Sequence, residues 1–355
     1  MKHNFGAGPC ILPQEVFKQA AEAVKDFNGL SILEISHRSS DFVKVMDEAQ
    51  DLVKKALNVP EGYSVVFLQG GASLAFTISA LNMMRASKKA GYINTGTWST
   101  KAIAEAKSVG IDLNVLASSE DKNFNYVPKG FDIPSDLDYV HYTSNNTIFG
   151  TQYKSVLETS SPLVCDMSSD IFSKPVDVSK YDMIYAGAQK NLGPAGATLY
   201  IVKDEILGKS TSSFMPSYLD LKKHAAKDSM MNTPPVFSVY ASMLNLRHLV
   251  ENGGVNAAET RNNAKGDLLY SEIDSNPLFY GTVATEDRSN MNVTFLLKDG
   301  APSEIFDSMW NDANIVGLKG HRSVGGYRAS MYNALTIDSV QVLVDVMKEF
   351  TRKNG

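Results

Sequence analysis

The sequence has few cysteines and no long apolar run. Only two of its 355 residues are cysteines, Cys10 and Cys165, and they lie far apart without a C-x-x-C spacing. This argues against a disulfide scaffold or a zinc site, so we expect no metal and a reducing compartment. No stretch approaches the roughly 18 consecutive apolar residues of a membrane helix, and the segment MKHNFGAGPCILP has no apolar signal-peptide core. We therefore expect a cytoplasmic protein without a membrane partner.

An excess of basic charge is also missing. The formal net charge is -5 at pH 7 and the isoelectric point is near 5.7, so we do not expect a nucleic-acid partner. The hydrophobic share is 43%, which indicates a sizeable core. The length suits one large domain together with a smaller one.

Strands alternate with helices through most of the sequence. The predicted strands are 64–68, 90–94, 111–116, 139–143, 163–166, 183–186 and 198–202, followed in the C-terminal part by 291–296. Such alternation is typical of an α/β fold in which helices cover both faces of a mostly parallel sheet. The pattern changes at the pair Gly253 and Gly254. We predict a three-layer α/β/α large domain over residues 13–253 and a smaller α/β C-terminal domain over 254–355, to which residues 1–12 return.

Lys190 follows an apolar strand in the stretch YDMIYAGAQKNLGPAG. Its ammonium group would then project from the carboxyl end of that strand, where open α/β sheets bind their ligands. A partly desolvated lysine has a lowered pKa and can attack an aldehyde. A surface lysine in a tight turn is the alternative, and Lys190 taken alone favours it. The P-loop pattern GxxxxGK[ST] is absent from the sequence.

Asp166 ends another predicted strand, in the run PLVCD. A carboxylate in this place can pair with a pyridinium nitrogen and keep the ring protonated, so that the ring acts as an electron sink. The alternative is an aspartate that caps the next helix. Because one crossover-sized segment separates Asp166 from Lys190, both side chains can face the same crevice.

A glycine-rich turn, QGGAS, lies between the first predicted strand and a helix. Free backbone N–H groups and the helix dipole at such a turn bind phosphate, and the hydroxyl of Ser73 adds a donor. A plain N-cap by Ser73 is the alternative. The turn lacks the GxGxxG spacing, which disfavours a dinucleotide site.

Trp98 lies in GTWSTKA, at the start of a helix that follows a further predicted strand. This places it on the ligand-binding side of a parallel sheet, where its ring can stack on a flat ligand. A tryptophan of the core or of an interface would fit the sequence equally well.

Two basic clusters stand out, His37 with Arg38 in SHRS, and His321, Arg322 and Arg328 in GHRSVGGYRASMYNA. Arginine is the residue best suited to bidentate binding of carboxylate and phosphate. The clusters therefore favour a small substrate with two separated anionic ends. Solvated surface charge is the alternative.

Together these segments closely resemble the phosphoserine aminotransferase family. The resemblance is carried by NFGAGPCILP, SHRS, GGAS, GTWSTKA, NNTIFGTQ, VCDMSSDIFSKPVDVSKYDMIYAGAQKNLGPAG, NTPPVFS and GHRSVGGYRASMYNA, and it spans nearly the whole chain. The family belongs to the fold-type I (class V) aminotransferases, uses pyridoxal 5'-phosphate (PLP) and is a homodimer. It exchanges an amino group between glutamate and 3-phosphohydroxypyruvate in serine biosynthesis, which is the activity that the resemblance implies for this chain.

The resemblance also implies roles for individual residues. By it, Lys190 carries PLP as an internal Schiff base, Asp166 pairs with the pyridine nitrogen and Trp98 stacks on the ring. The phenolic oxygen of the cofactor would be bound by Thr147, and its phosphate by Ala72, Ser73 and Gln189 with Asn232 and Thr233 of the neighbouring subunit. The substrate α-carboxylate would be bound by Arg328, and the distal phosphate or carboxylate by His37, Arg38, His321 and Arg322. Some family members have an arginine in place of Ser73, which leaves the contact of its side chain open.

Other functions are alternatives to this one. Cysteine desulfuration needs a reactive cysteine in the C-terminal part, and Cys165 is the last cysteine of the chain. Transamination of 4-phosphohydroxy-L-threonine in pyridoxine biosynthesis stays open as a second activity. A PLP-binding protein without turnover and a nucleotide-binding domain are disfavoured by the joint presence of the lysine, the aspartate, the tryptophan and the anion-binding residues.

Overall fold

Helices and strands alternate along the chain in the computed structural model, which describes residues 2–355. The helices are, in chain order, α1 (Gln14–Lys25), α2 (Ser40–Leu57), α3 (Gly71–Met83), α4 (Thr97–Ser108), α5 (Leu221–Ala225), α6 (Val236–Glu251), α7 (Gly254–Ser275), α8 (Ser303–Asp312) and α9 (Ile337–Asn354). The strands are β1 (His3–Asn4), β2 (Tyr63–Gln69), β3 (Lys89–Asn94), β4 (Asp112–Ser118), β5 (Tyr139–Thr143), β6 (Leu163–Asp166), β7 (Met183–Gly187), β8 (Ala197–Lys203), β9 (Phe279–Gly281), β10 (Asn292–Leu297), β11 (Ile315–Val316) and β12 (Tyr327–Ser330). Strands β2 to β8 confirm the seven strands predicted before residue 254.

Seven strands form one sheet in the order β2-β8-β7-β6-β5-β3-β4. The five strands from β3 to β7 run parallel to one another, which confirms the predicted mostly parallel sheet. Strand β8 is antiparallel to both β7 and β2. The connection from β7 to β8 spans only residues 188–196 and contains no helix. So short a connection joins antiparallel strands, whereas parallel strands need a longer crossover.

Helices cover both faces of this sheet because its strands are apolar on both sides. On β7, Ile184 and Ala186 pack in a core shared with α1, α2 and α6. Met183 and Tyr185, which point the other way, pack in a second core with α3, α4 and α5. Alternate residues of a strand face opposite sides of a sheet, so two buried faces require two layers of helices. The predicted α/β/α arrangement is therefore confirmed.

The carboxyl ends of the central strands lie along one edge of the sheet. Strand β5 leads into residues 144–147, β6 into residues 167–170 and β7 into residues 188–190. Parallel strands deliver such loops to the same edge, where α/β proteins bind ligands. Three sequence segments that are well separated in the chain thus meet there.

The C-terminal part has its own small sheet and its own core. Strands β9, β10 and β12 form an antiparallel sheet in the order β12-β10-β9, and its core includes residues of α7, α8 and α9. The N-terminal strand β1 pairs in parallel with β11 through His3 and Ile315. The hydrogen bond between His3 Nδ1 and Ser339 Oγ, 3.0 Å long, also ties the beginning of the chain to α9.

Helix α7 begins at the glycine pair where the sequence predicts a domain boundary. Gly253 and Gly254 have φ angles of 88° and 63°, a left-handed backbone that glycine adopts without steric cost. The helix is longer than the predicted segment 257–271 because its polar first and last turns carry little apolar periodicity. The exact division into residues 13–253 and 254–355 stays a prediction. None of the helices within residues 2–355 is both long and apolar enough to cross a membrane.

Gly150 provides a test of the contact between the two parts of the chain. It has a φ of 82°, and a Cβ there would lie 2.5 Å from Thr294 Oγ1 and 2.9 Å from Asn292 O of β10. We predict that Gly150→Ala lowers the free energy of unfolding by about 1–3 kcal/mol more than a substitution at an open left-handed glycine.

The matched control is Gly300→Ala, since Gly300 has a φ of 86° but no atom within 4 Å of the added Cβ. Chemical denaturation of both variants separates steric overlap from backbone strain. Equal losses in the two variants would contradict the predicted overlap with β10.

Candidate active site

Lys190 lies in the turn between β7 and β8, and only 7% of its surface is exposed. Its Nζ donates hydrogen bonds to Thr147 Oγ1 at 2.6 Å and to Ser169 Oγ at 2.8 Å. The two hydroxyls are themselves 2.7 Å apart. Thr147 follows β5 and Ser169 follows β6, so the lysine is held by loops from two neighbouring strands. It is not the exposed turn lysine that its local sequence alone favours.

Burial lowers the pKa of Lys190 to about 8. The main cause is the loss of hydration, which disfavours the charged ammonium. The negative charge of Asp166 partly opposes this effect, whereas the positive charge of Arg328 adds to it. Near neutral pH most of Lys190 is therefore still an ammonium, but its uncharged fraction is far larger than that of a solvated lysine. The uncharged amine is the form that acts as a nucleophile or as a base.

Asp166 lies at the end of β6 and is 3% exposed. Its Oδ1 accepts hydrogen bonds from Ser168 N at 2.9 Å and from Ser168 Oγ at 2.6 Å. The segment that follows is a turn, not a helix, so Asp166 does not cap a helix. Ser168 Oγ also accepts from Gly187 N at 3.0 Å, which fixes the carboxylate against β7.

One carboxylate oxygen of Asp166 stays available to a ligand. No residue among 2–355 donates a side-chain or backbone hydrogen bond to Oδ2. Burial raises the pKa of this carboxyl group, while the charge of Lys190 and the hydrogen bonds from Ser168 oppose the rise. A buried carboxylate with a free oxygen is suited to pair with a positively charged N–H group.

Trp98 is the second residue of α4, as the sequence predicts for the start of a helix. The centroid of its ring lies 5.5 Å from Lys190 Nζ, so the ring borders the space around the amine. Its Nε1 is buried without a partner among the described residues. Lys101, one turn further along α4, has its Nζ 4.9 Å from the same ring.

The glycine-rich turn forms the N-terminus of α3. Gly70 is the N-cap residue and makes no side-chain hydrogen bond there, so the alternative in which Ser73 caps this helix is not observed. Ala72 is half-buried and Ser73 is exposed. The first N–H groups of an α-helix lack partners within the helix, which leaves this end able to bind an anion.

Asn232 and Thr233 lie beside this turn within the same chain. Gln69 Nε2 at the end of β2 donates to Thr233 O at 2.7 Å, and Asn232 Nδ2 donates to the same oxygen at 3.2 Å. Gln189 is half-buried next to Lys190, and its carbonyl accepts from Cys10 N at 3.1 Å. The roles of these three residues in phosphate binding stay predictions.

Arg328 brings the C-terminal part to the site. It lies on β12, and its Nη1 donates to Thr147 O at 3.4 Å. Its Nε is buried and has no partner within the described chain. A guanidinium group in such a place has N–H donors left for a carboxylate.

His321 and Arg322 lie in the glycine-rich loop that precedes β12. His321 Nδ1 accepts from Ser323 N at 3.2 Å, which leaves Nε2 as the protonated nitrogen of the neutral ring. Burial and the nearby charges of Arg328 and Arg322 lower the pKa of His321. Arg322 is exposed. The structure thus brings the second basic cluster together as a group of three.

The first basic cluster does not join this group within one chain. His37 is 5% exposed, and its Nε2 has no hydrogen-bond partner among residues 2–355. Arg38 is exposed. Neither side chain forms a hydrogen bond with Lys190 or Arg328 in the described structure.

Three residues near the amine are absent from the sequence-based set. Ser169 and Ser168 bind the side chains of Lys190 and Asp166, and Lys101 lies against Trp98. The polar run MSSD directly after the strand of Asp166 was a usable signal for both serines. Lys101 had none, because a lysine on an amphipathic helix is usually a solvated surface residue.

Comparisons with known proteins bear on this site. A family model described as aminotransferase class-V matches residues 3–343. The chain is 61% identical to phosphoserine aminotransferase of Flavobacterium psychrophilum and 54% identical to that of Porphyromonas gingivalis, each over 99% of both chains. The solved phosphoserine aminotransferase from Bacillus circulans subsp. alkalophilus has a TM-score of 0.96 at 41% identity, covering 100% of this chain and 99% of that one. A PLP-bound phosphoserine aminotransferase from Trichomonas vaginalis has a TM-score of 0.93 at 34% identity, over 98% of this chain and 100% of that one.

The lowered pKa of Lys190 can be tested without any ligand. We predict that reductive methylation of Lys190 by formaldehyde and cyanoborohydride in the apo-protein rises with pH around a midpoint near 8, because only the neutral amine attacks the aldehyde. Peptide mass spectrometry would follow the modification. Lys190 in the urea-unfolded protein is the control, because unfolding removes the burial that lowers its pKa, so its midpoint should lie at a higher pH. A common midpoint for the folded and the unfolded protein would contradict the prediction.

Proposed function

The chain belongs to the class-V aminotransferases, and we propose that it transfers the amino group between L-glutamate and 3-phosphohydroxypyruvate. The products are 2-oxoglutarate and O-phospho-L-serine, which makes this a step of serine biosynthesis. The observation that carries the proposal is the 61% identity to a phosphoserine aminotransferase over 99% of both chains. The buried amine of Lys190 between Thr147 and Ser169 supplies the chemistry that such a reaction requires.

The site fits pyridoxal 5'-phosphate, the cofactor bound in one of the similar structures. Three features support the fit, namely the lowered pKa of Lys190, the free oxygen of Asp166 and the ring of Trp98. When bound, this cofactor withdraws electrons from the substrate Cα and so stabilises the charge that forms there. Asp166 would hold the pyridine nitrogen, Trp98 would stack on the ring and Thr147 would bind the phenolic oxygen.

The cofactor phosphate is proposed to lie at the N-terminus of α3. The free N–H groups of this helix and its dipole favour a dianion, and Ala72 and Ser73 lie in its first turn. Gln189 would add a donor from the turn that carries Lys190. Asn232 and Thr233 of the neighbouring subunit are proposed to complete this phosphate site, although within one chain Thr233 O accepts from Gln69 Nε2, just before the same turn.

Lys190 would also move the proton during the reaction. With the substrate amine in its place, its Nζ would take the proton from the substrate Cα and return it to the C4′ carbon of the cofactor. A pKa of about 8 suits both directions, since a catalytic group works best when its pKa is near the working pH. In each half-reaction one substrate binds and its product leaves before the other substrate binds. Ping-pong kinetics are therefore expected.

The substrate is proposed to bind through its two anionic ends. Arg328 would take the α-carboxylate, and His321 and Arg322 would take the distal phosphate or carboxylate with His37 and Arg38. The unpartnered Nε of Arg328 and the donor Nε2 of His321 support these roles. Both glutamate and phosphoserine carry a distal anion, so one set of donors can serve both half-reactions.

A homodimer with shared active sites is part of the proposal. The buried Nε2 of His37 has no hydrogen-bond partner in its own chain, and the side chains of His37 and Arg38 form no hydrogen bond with Lys190 or Arg328 among the described residues. Close to them, Leu30 and Leu33 are 56% and 63% exposed, and exposed large apolar side chains near one another are typical of an interface. The segment is therefore proposed to cover the site of a second copy.

The substrate roles predict different defects for two arginines. We expect Arg328→Ala to slow the half-reactions of glutamate and phosphoserine alike, and Arg322→Ala to act mainly through the distal anion. Loss of a charged partner from a desolvated site costs about 2–5 kcal/mol. The measurement is the decay of the cofactor absorbance at about 400 nm in the wild type and in both variants. Glutamate, alanine, phosphoserine or 4-phosphohydroxythreonine is added to the purified enzyme.

Alanine is the control because it has no distal anion. Alanine should convert the cofactor slowly in the wild type. Its rate should be the same in Arg322→Ala, because alanine has no group for Arg322 to bind. Equal conversion by alanine, glutamate and phosphoserine would exclude the assigned substrates.

The shared site predicts complementation between two inactive subunits. Lys190→Ala and Arg38→Ala homodimers should each be impaired, whereas a co-expressed mixture should regain up to about a quarter of wild-type activity. The reason is that a twofold heterodimer places both defects in one site and leaves the other intact. Steady-state assays of mixed and separate preparations check this. No recovery in dimers verified to be mixed would place Arg38 in its own subunit's site or outside any site.

A further inference from the structure

A cavity of about 570 Å³ lies between the two parts of the chain, behind the turn that carries Lys190. Its walls come from α6, α7, the segment before α1 and the segment that leads into α9. Lys190 and Asn191 line it, but Thr147, Trp98 and Arg328 do not. It therefore adjoins the candidate active site at Lys190 but shares no other residue with the set described there. Its volume lies within the roughly 300–1,000 Å³ of small-molecule sites.

The inner end of the cavity is apolar. Leu12, Phe172, Leu246, Leu249 and Leu335 line it and are each no more than 8% exposed. These side chains belong to segments from both parts of the chain. An apolar body of a ligand placed here would be removed from water, which favours binding.

The outer end of the cavity is basic. Lys2 and Arg261 line it there and are exposed, and His248 is half-buried. The only side-chain hydrogen bond of Arg261 within the described chain goes from Nη1 to Asn252 O at 3.3 Å, and Arg261 forms no ion pair there. None of the described residues that line the cavity is an aspartate or a glutamate. The charge of the cavity thus favours an anion.

A buried lysine fixes one wall. Lys265 is 1% exposed, and its Nζ donates to the carbonyl oxygens of Met331, Tyr332 and Leu335 at 2.9, 2.9 and 3.1 Å. Asn333 N in the same segment donates to Asn191 Oδ1 at 2.9 Å. These bonds hold the wall in place in the absence of a ligand, so binding needs little reorganisation.

We propose that this cavity binds a small amphiphilic anion, a carboxylate with an unbranched apolar body, at a site distinct from that of transamination. The carboxylate lies at the basic outer end near Arg261, and the apolar body extends between the leucines. The proposal does not rest on the assignment of the substrates. A neutral alcohol lacks the charge and inorganic phosphate lacks the apolar body, so both bind more weakly.

The test is calorimetric titration of the PLP-loaded enzyme with octanoate, with octan-1-ol and inorganic phosphate as comparison ligands. Arg328→Ala, which removes the proposed carboxylate contact of the active site, should bind octanoate as the wild type does. Ala264→Trp, at an exposed residue that lines the cavity, should fill the cavity and weaken binding at least tenfold. Arg261→Gln should weaken it about two- to fivefold, as for a partly exposed charge pair.

Lys55→Gln is the matched control, because it removes the same charge from an exposed position on α2 and should leave the affinity unchanged. Thermal melting of each variant establishes that it is folded. Three results would overturn the proposal: no saturable binding of octanoate, binding that Ala264→Trp leaves intact, or binding that Arg328→Ala removes.

Discussion

The burial of the Lys190 amine against two hydroxyl groups is the constraint on which the rest of the site depends. A carboxylate in direct contact would stabilise only the ammonium form, and an apolar environment would leave that form without partners. Thr147 and Ser169 avoid both outcomes, because a hydroxyl can accept from an ammonium or donate to a neutral amine. Asp166 acts on Lys190 only through its charge, without a hydrogen bond between them. The lysine can therefore change its protonation state while its polar contacts are kept.

The sheet supplies this arrangement from three strand ends. Thr147 follows β5, Ser169 follows β6 and Lys190 follows β7, and these strands are direct neighbours. Ser168 links β6 to β7 through its hydrogen bonds to Asp166 and Gly187. The reversal of direction at β8 keeps the turn of Lys190 short, so its backbone is held at both ends by strands of the same sheet.

The sequence predicts the backbone of the site better than its hydrogen bonds. Asp166 and Lys190 could be placed because each follows an apolar run, and an apolar run buried on both sides reads clearly as a central strand. Ser168 and Ser169 could not be distinguished from ordinary turn residues, which are also serine-rich. His37 and Arg38 are predicted as an anion-binding pair from their residue types, but no strand end or turn in the sequence relates them to Lys190. Within one chain Nε2 of His37 has no hydrogen-bond partner. The length of α7 was underestimated for a physical reason, since its ends are polar and its position is decided by contacts with α9 and the small sheet.

The pairing of β1 with β11 has a consequence for the order in which the chain acquires its structure. His3 pairs with Ile315, so strand β1 finds its partner only after some three hundred further residues have been synthesised. The seven-stranded sheet, in contrast, is complete once β8 has been made, at Lys203. During synthesis the first residues must therefore wait as an unpaired strand edge while the rest of the molecule forms, a state that is prone to pairing with other chains. Two residues, His3 and Asn4, make up that strand, and so short an edge offers little to a neighbouring nascent chain.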